Sequence, residues 1–406
     1  MEQEHVFPAL DGSAEALPVR TEEIPLDALR AAYEEAERTF DIAGRGACMA
    51  EAFRQILEHP AMEQSEAGQF FAARPRIFLL AALDALARGA GAEGLFYLGQ
   101  IDEAVLASPA WFPAYRYYKA WGCDLAGEDV RAAQHLGAHI ARFPADAAAK
   151  SCLAALRAGA PRAWCDAGVR AEEIAGHCDI PIFINSRDRV GCLRALVGRL
   201  LSMGYRNLIV LDNGSTYAPL LSYYAEAERQ GVRVLRLPNL GHRALWASGA
   251  LDTLGVTGAY AYTDSDVVPK ETCPADFVRR LLCVLRDFPY LIKAGTALAY
   301  ADVTFYDRAK IRAIEERLYT VPLAKDCYFA DVDTTFAVYP GRVRHYVRGP
   351  AARLAGACTA RHLPWYYDYA NLPADEAYYL AHAGMSSSLK AFAAESGKTE
   401  GKRGIR

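Results

Sequence analysis

Two aspartates, Asp264 and Asp266, stand two residues apart directly after a short apolar run. Carboxylates in this arrangement can converge on one hard divalent cation such as Mn²⁺ or Mg²⁺. That ion would neutralise a diphosphate and stabilise it as a leaving group. We therefore predict Asp266 as a direct metal ligand and Asp264 as a further ligand, a water-mediated contact or a ribose contact. The triplet is common in proteins, and an acidic turn after a strand is the alternative interpretation.

Polar turns also follow three earlier apolar runs. Asp212 begins the turn DNGST, where its carboxylate can accept a hydrogen bond from a base N–H group or a ribose hydroxyl; a tight turn alone is the alternative. Arg187, Arg189 and Arg243 carry guanidinium groups that match phosphate oxygens, although each can equally be a solvated surface residue. The four turns together are of the kind that a nucleotide-sugar site requires. The candidate ligand-binding residues in them are Asn185, Arg187, Asp212, Asn213, Asn239, Arg243, Asp264 and Ser265.

A sheet has to bring these turns together. Short runs of β-branched or apolar residues predict six strands, and the stretches 192–203 and 219–230 between the early runs predict helices. Strands that alternate with helices favour a mostly parallel α/β sheet with right-handed crossovers. In such sheets ligands bind beyond the carboxyl ends of the strands, which is where the four turns lie. The predicted strands are 180–185, 207–211, 232–237, 259–263, 291–297 and 335–339.

The first part of the chain has a different pattern. Alanine, leucine, glutamate and arginine dominate residues 26–160, and apolar residues recur at three- and four-residue spacing. We predict an all-α domain over 1–165, either a plain bundle or degenerate helical repeats of tetratricopeptide length. Such a domain would offer a surface for a protein partner or for self-association. An α/β domain is predicted over 170–385, and the Ser/Lys/Gly-rich residues 386–406 are predicted to form a flexible tail.

Composition argues against several classes of function. The 406 residues carry a formal net charge of -4, so no electrostatic case for binding nucleic acid exists. The ten cysteines include no CxxC pair, so neither a zinc site nor a redox motif is predicted. The acidic N-terminus lacks the apolar segment of a secretory signal, and no apolar run reaches the length of a membrane span. We expect a cytoplasmic protein with reduced thiols, or one peripheral at the inner membrane face.

The order IPIFINSRDR, LIVLDNGST, VRVLRLPNLGHR and YTDSD resembles the donor half of glycosyltransferase family 2, whose members have the GT-A fold. The resemblance spans residues 181–269. It implies a Rossmann-like nucleotide-diphospho-sugar transferase domain with a mixed central sheet, in which Asp212 contacts the base while Asp264 and Asp266 serve the metal and the ribose. The implied reaction moves a sugar from a nucleotide-diphosphate donor, with a UDP-sugar favoured, to a hydroxyl of a glycan, lipid-linked or protein acceptor. The family inverts, so inversion is implied.

The later part of the chain is expected to supply the catalytic base and one more metal ligand. An inverting transfer needs a carboxylate that takes the proton of the acceptor hydroxyl. Asp333 precedes an apolar strand and is the first candidate, followed by Asp368 and by Asp375, which opens the nearest match to the acidic pair of the resembled family. Each can instead be a cap of a strand or helix. His362 is a candidate metal ligand, because GT-A enzymes often use a late histidine and imidazole suits Mn²⁺; a packed histidine is the alternative.

Two other interpretations stay open at this point. The segment YTDSDVV also resembles the Asp-x-Asp-x-Val motif of haloacid-dehalogenase phosphatases. That motif belongs on the first strand of its domain, whereas three predicted strands precede it here. The second alternative is a non-enzyme, a catalytically degenerate nucleotide-sugar-binding or adaptor protein. The combination of Asp212, both triplet aspartates and a late histidine favours the transferase over both.

Overall fold

The computed structural model describes residues 24–101, 115–164, 168–304, 308–333 and 335–382. The predicted tail at 386–406 lies outside these ranges. Within them the chain is an α/β protein with a mixed sheet and many helices, which confirms the fold class at that level. No helix of the described ranges is long and apolar enough to cross a membrane.

Helices without strands make up the described residues from 26 to 157, as the periodicity predicts. Several begin at side-chain caps: the Asp41 carboxylate accepts from the Gly44 N–H, and that of Asp146 accepts from the Ala149 N–H, both at 2.9 Å. The helices are α1 (Leu26–Arg38), α2 (Ile42–Glu58), α3 (Glu66–Ala72), α4 (Arg76–Ala87), α5 (Gly91–Gly99), α6 (Tyr115–Leu125), α7 (Asp129–Arg142) and α8 (Ala147–Arg157).

This helical segment packs directly on the rest of the protein. Helix α4 is buried on nearly every side, and the hydrophobic core to which it belongs continues without interruption into the sheet. Polar contacts follow the same junction. Arg76 at the start of α4 forms an ion pair with Asp331 at 3.0 Å, and the Tyr118 hydroxyl donates to the carbonyl of Tyr290 at 3.5 Å. The helices therefore contact the segment that carries Asp331 and Asp333.

Ten strands of the described residues form one mixed sheet. Each of the six predicted strands overlaps an observed one, so those predictions are confirmed. Four strands were missed: three are three residues long, and the fourth is rich in alanine, which has low strand propensity. The strands are β1 (Ile182–Ser186), β2 (Leu208–Asn213), β3 (Arg233–Leu237), β4 (Tyr260–Asp264), β5 (Val267–Pro269), β6 (Lys293–Leu298), β7 (Pro322–Ala324), β8 (Cys327–Phe329), β9 (Ala337–Tyr339) and β10 (Ala351–His362).

Helices cover both faces of the sheet. The two helices predicted at 192–203 and 219–230 are confirmed. The remaining helices are α9 (Ala171–Ala175), α10 (Val190–Ser202), α11 (Ala218–Arg229), α12 (Ala244–Ala247), α13 (Ala250–Thr253), α14 (Phe277–Asp287), α15 (Arg308–Glu316) and α16 (Ala374–His382), with short 3-10 helices at Pro60–Gln64, Gly241–Arg243, Arg317–Tyr319 and Leu363–Tyr366.

Strand order determines where a ligand can bind. The order is β3-β2-β1-β4-β9-β6-β10-β8-β7, and β1 to β4 are parallel to one another. The chain therefore builds outward from β1 to β3 and then returns to the other side of β1. At such a reversal the loops leave in opposite directions and open a crevice at the carboxyl ends of the strands. That crevice lies between the ends of β1 and β4.

Strand β10 brings the late part of the chain to this crevice. It pairs with β6 in parallel and, at its end, with the short β5 in antiparallel, so that His362 is opposite Val267. The Leu363 N–H also donates to the carbonyl of Asp266 at 2.8 Å. His362 is therefore held beside the turn that follows β4.

Gly295 of β6 allows the segment before β9 to cross close above the sheet. A Cβ atom on Gly295 would lie 2.6 Å from Val332 Cγ1 and 2.9 Å from the carbonyl oxygen of Phe336. We expect Gly295→Ala to lower the free energy of unfolding by about 1–3 kcal/mol, because the backbone must shift. Urea denaturation measures the change. Gly198→Ala is the control: Gly198 is exposed in α10 with nothing within 4 Å, and this variant should be up to about 1 kcal/mol more stable.

Candidate functional site

The carboxyl ends of β1 and β4 are tied together by polar contacts. Asn185 and Asp264 are register partners, and Asn185 Nδ2 donates to Asp264 Oδ1 at 3.1 Å. The buried Ser265 donates its N–H to the carbonyl of Asn185 at 3.0 Å. Three of the predicted ligand-binding residues thus lie side by side at the point where the strand order reverses.

Asp266 is the most deeply buried carboxylate of the predicted metal ligands. Its Oδ2 lies 2.5 Å from Arg189 Nη1 and 3.4 Å from His362 Nε2. Burial opposes ionisation of this carboxyl group, but the nearby His362 and Arg189 outweigh burial and hold its pKa well below the usual range. Asp266 therefore carries a negative charge at neutral pH. The structure brings Asp266 and His362 together, whereas Asp264 contacts Asn185.

The two neighbours Asp266 and His362 fit a divalent cation by the criterion of unused lone pairs. Asp266 Oδ1 and His362 Nδ1 are buried and have no hydrogen-bond partner among the described residues. A carboxylate and an imidazole are both ligands that Mn²⁺ accepts. The described residues contain no cluster of three or more such side chains, so most of the coordination shell would come from a bound ligand and water.

Arg189, at the start of α10, links Asp266 to the last helix. Its Nη2 donates to Glu376 Oε1 of α16 at 2.6 Å, and its guanidinium lies 3.8 Å from the ring centroid of Tyr379. Burial raises the pKa of Glu376, although Arg189 acts in the opposite direction. Asp375 faces away from this cluster and accepts from the Gly191 N–H at 2.7 Å, which is the position of a cap on α10.

Helix α16 also covers the turns after β1 and β2. The Tyr378 hydroxyl is 3.0 Å from Thr216 Oγ1, and its ring packs on Tyr217 with centroids 4.8 Å apart. Arg187 Nη2 donates to the carbonyl of His382 at 3.4 Å. The last described helix therefore lies over the turn that carries the predicted ligand-binding residue Arg187. Sequence patterns did not predict this position of the helix.

Asp212 is buried and engaged with three partners. Its Oδ1 accepts from the Ser215 N–H at 3.1 Å and from the Tyr224 hydroxyl at 3.0 Å, and its Oδ2 lies 2.9 Å from Arg236 Nη1. The contacts from Ser215 and Tyr224 hold the turn after β2 against α11. The Arg236 side chain is about half exposed, so this contact is the one that a ligand can displace at low cost.

Asn213 holds the turn after β2 against the turn after β3. Its Oδ1 accepts from the Leu240 N–H at 2.6 Å, and its Nδ2 donates to the carbonyl of Gly241 at 2.9 Å. Gly214 follows with a φ of 74°, and a Cβ atom there would be 3.0 Å from the backbone nitrogen of Asn239. Asn239 itself is exposed at the mouth of the crevice.

Sequence reasoning missed Asp188, which organises the same turn. Its φ is 59°, an uncommon conformation for a residue other than glycine. Its Oδ1 accepts from the N–H groups of Thr216 and Tyr217, at 2.7 and 2.9 Å, just before α11 begins. An aspartate between two arginines in a turn was the available signal. Asp188 therefore couples the turn after β1 to the turn after β2.

The three candidate bases lie in different environments. Asp333 is exposed, and because β9 runs antiparallel to β4 it lies towards the carboxyl end of β4. Asp368 is occupied within its own turn: it accepts from the Ala370 N–H at 2.9 Å and from Asn371 Nδ2 at 2.8 Å. Asp375 is occupied at the start of α10. Among the three, Asp333 has the carboxylate that an acceptor can approach.

A group of basic residues surrounds Asp333, and sequence reasoning did not anticipate its buried member, Lys293. Burial lowers the pKa of Lys293 from 10.5 to about 8, against the opposing influence of Asp333 and Asp331. Burial and Arg243 lower the pKa of His242, again against the influence of Asp333. The Arg243 guanidinium lies 4.5 Å from the ring centroid of Tyr346. Asp333 therefore lies within electrostatic range of Lys293 and of His242.

Comparison with known proteins gives little beyond the geometry. No protein-family model matches the chain, and no curated protein matches it. Among solved structures, the mannosyltransferase PcManGT from Pyrobaculum calidifontis in complex with GDP-Man and Mn²⁺ aligns with 56% of this chain and 80% of its own, at 14% identity and a TM-score of 0.31. At this identity and TM-score the alignment assigns neither a fold family nor an activity.

Because Lys293 is buried, we expect its titration to make the free energy of unfolding depend on pH. Because its pKa falls from 10.5 to about 8 on folding, the unfolded chain binds more protons between these values, and unfolding free energy rises with pH there. We expect Lys293→Met to be more stable than wild type below pH 8, with the difference closing by pH 10.5. Urea denaturation across pH 7–10.5 measures it. The control is Lys150→Met, on the exposed side of α8, whose unfolding free energy should differ from that of wild type by an amount that does not change with pH. A pH-independent difference for Lys293→Met would contradict the prediction.

Proposed function

We propose that this chain is a metal-dependent glycosyltransferase of the GT-A type. It would move a sugar from a nucleotide-diphosphate donor, with a UDP-sugar favoured, to a hydroxyl of a glycan, lipid-linked or protein acceptor, with inversion. One observation carries the proposal: the ionised Asp266, with an unpartnered Oδ1, stands beside His362 at the crevice where the strand order reverses. The resemblance of residues 181–269 to glycosyltransferase family 2 supports the same reading.

Asp266 and His362 are the side chains that would hold Mn²⁺ or Mg²⁺, with Asp264 as a further ligand or as a contact to the ribose. The bound ion would neutralise the diphosphate and stabilise it as the leaving group. The protein's own contribution is to keep Asp266 ionised in a buried position, through the nearby positive charge of Arg189.

Donor recognition is proposed for the turns after β1, β2 and β3. Asp212 would accept a hydrogen bond from the base after release of the half-exposed Arg236. Asn185 and Ser265 line the crevice next to Asp264, while Asn213 and Asn239 shape the loop that closes it. The partly buried Arg187 and the exposed Arg243 are proposed to contact diphosphate oxygens, which guanidinium groups match in shape and charge.

Asp333 is the proposed base. It is exposed at the end of the crevice, whereas Asp368 and Asp375 already accept backbone N–H groups. A carboxylate there would accept the proton of the acceptor hydroxyl as that oxygen attacks the anomeric carbon. Asp368 and Asp375 remain alternatives that the same experiment tests.

In this proposal the helical segment is a domain over 1–165 that packs on the transferase domain over 170–385. Its contacts with the segment of Asp331 give it a route to influence the acceptor side of the crevice. Recruitment of the acceptor, of a protein partner or of a second copy is the role proposed for it.

The donor proposal is tested by thermal stabilisation with a panel of nucleotide diphosphates and nucleotide sugars, with and without Mn²⁺. We expect one nucleotide class to raise Tm by roughly 3 °C at about 100 times its Kd, and only with Mn²⁺. Asp266→Asn should abolish the shift, because the amide cannot replace the charged ligand. Asp287→Asn changes an exposed aspartate remote from the crevice and should keep the full shift.

Two outcomes would count against the donor proposal. An undiminished metal-dependent shift in Asp266→Asn would remove Asp266 from the metal site. No shift with any nucleotide in the wild type would remove the nucleotide-sugar site itself. A shift without turnover of any acceptor would instead favour the catalytically degenerate binding protein.

The base proposal predicts a separation of binding from catalysis. Asp333→Asn should lower kcat by at least about 100-fold while the Kd of the nucleotide with Mn²⁺ stays unchanged, because the group acts on the acceptor. Sugar transfer followed by mass spectrometry and nucleotide binding by calorimetry give the two values. Asp368→Asn and Asp375→Asn are the matched variants. Full activity in Asp333→Asn together with loss in either of them would move the assignment.

A further inference from the structure

Arg189 is placed between two carboxylates from distant parts of the chain. It is 6% exposed, with Nη1 at 2.5 Å from Asp266 Oδ2 and Nη2 at 2.6 Å from Glu376 Oε1. The face of its guanidinium lies against Tyr379. Two of its three partners are on α16, and only the third is in the candidate metal site.

The cluster pairs one guanidinium with two acidic groups, and its polar atoms are incompletely used. Asp266 Oδ1, Glu376 Oε2 and Arg189 Nε are all buried without a hydrogen-bond partner among the described residues. Buried polar networks that serve stability alone are usually satisfied, since each unpaired group costs free energy. The three unpaired atoms are positions at which this cluster can accept a further ligand.

A divalent cation bound to Asp266 would compete with Arg189 for the negative charge of that carboxylate. The ion and the guanidinium share the same carboxylate and repel each other, so the 2.5 Å contact between Arg189 and Asp266 would weaken. Glu376 and Tyr379 would still hold the guanidinium in place. Its released Nη1 would then face the space beside Asp266, where a diphosphate on the metal would lie, and a guanidinium is a strong partner for phosphate oxygens.

We propose that Arg189 exchanges partners: it neutralises Asp266 in the metal-free protein and binds the donor diphosphate in the metal-bound protein. Glu376 is the positioning residue that retains it throughout. This inference rests on the proposed function and adds a phosphate-binding residue and its support on α16. It also explains why a buried, ionised Asp266 is tolerated before the metal arrives: the desolvation of its charge is offset by Arg189.

The exchange predicts effects of opposite sign on two affinities. In Arg189→Met the competitor of the metal is gone, so Mn²⁺ should bind the nucleotide-free protein about tenfold more tightly, measured by electron paramagnetic resonance of free Mn²⁺. The same variant should bind the nucleotide diphosphate about tenfold more weakly at saturating Mn²⁺, measured by calorimetry. A purely structural ion pair would weaken both, because its loss loosens the whole site.

Removal of Arg189 alone leaves two buried carboxylates without a counter-ion, and this variant can fail to fold. The double variant Arg189→Met/Glu376→Gln removes one positive and one negative charge and avoids this problem. It should show the same pair of changes. The matched control is Arg361→Met/Glu271→Gln, an ion pair at 2.7 Å in which the Glu271 side chain is 79% exposed; it should leave both affinities unchanged.

Each outcome decides the inference. Tighter Mn²⁺ binding together with weaker nucleotide binding supports it. Unchanged or weaker Mn²⁺ binding in the folded double variant overturns it, whatever happens to the nucleotide. Tighter Mn²⁺ binding in a protein whose wild type binds no nucleotide diphosphate overturns the phosphate contact and, separately, the proposed function, because the metal measurement does not depend on the nucleotide.

Discussion

The ion cluster of Asp266, Arg189 and Glu376 holds together three parts of the chain that are far apart in sequence. Arg189 is separated by 77 residues from Asp266 and by 187 residues from Glu376. Without the guanidinium, two buried carboxylates would share a medium of low dielectric, where each unpaired charge costs several kcal/mol. The end of β4, the start of α10 and the helix α16 are therefore fixed relative to one another by one charged side chain.

Local patterns were sufficient to predict the frame of this arrangement. The six strands and two helices that flank the crevice follow from apolar runs and periodicity, since each is a property of neighbouring residues. Strand β10 was missed because its alanine-rich composition favours no strand; it forms through pairing with β6, β8 and β5. Since β10 carries His362 to Asp266, the meeting of these two residues is a consequence of the sheet rather than of any motif.

Side-chain partners were the part that sequence patterns could not supply. Nothing in the order of residues indicates that Asp375 accepts from the Gly191 N–H or that Arg189 lies on Tyr379. Lys293 shows the same limit. A lysine at the start of an apolar strand is expected to be solvated. The surrounding structure instead buries Lys293 near Asp333 and lowers its pKa. These relations depend on contacts between segments that are far apart in sequence. The intrinsic propensity of a residue for helix or strand does not encode such contacts.

The remaining lone pairs distinguish the aspartates that serve the fold from those that can serve a ligand. Asp188 and Asp375 accept backbone N–H groups, and withdrawing either carboxylate would leave buried donors unsatisfied. Asp212 is intermediate, because its Arg236 contact is with a half-exposed side chain and can be replaced. Asp266 differs from all three in its charged partner: Arg189 is buried and keeps a second anchor on Glu376, and Asp266 Oδ1 has no hydrogen-bond partner among the described residues. A ligand at Asp266 therefore meets a charged carboxylate whose partner remains anchored elsewhere, whereas a ligand at Asp188 or Asp375 would displace backbone N–H groups near the start of α11 or α10.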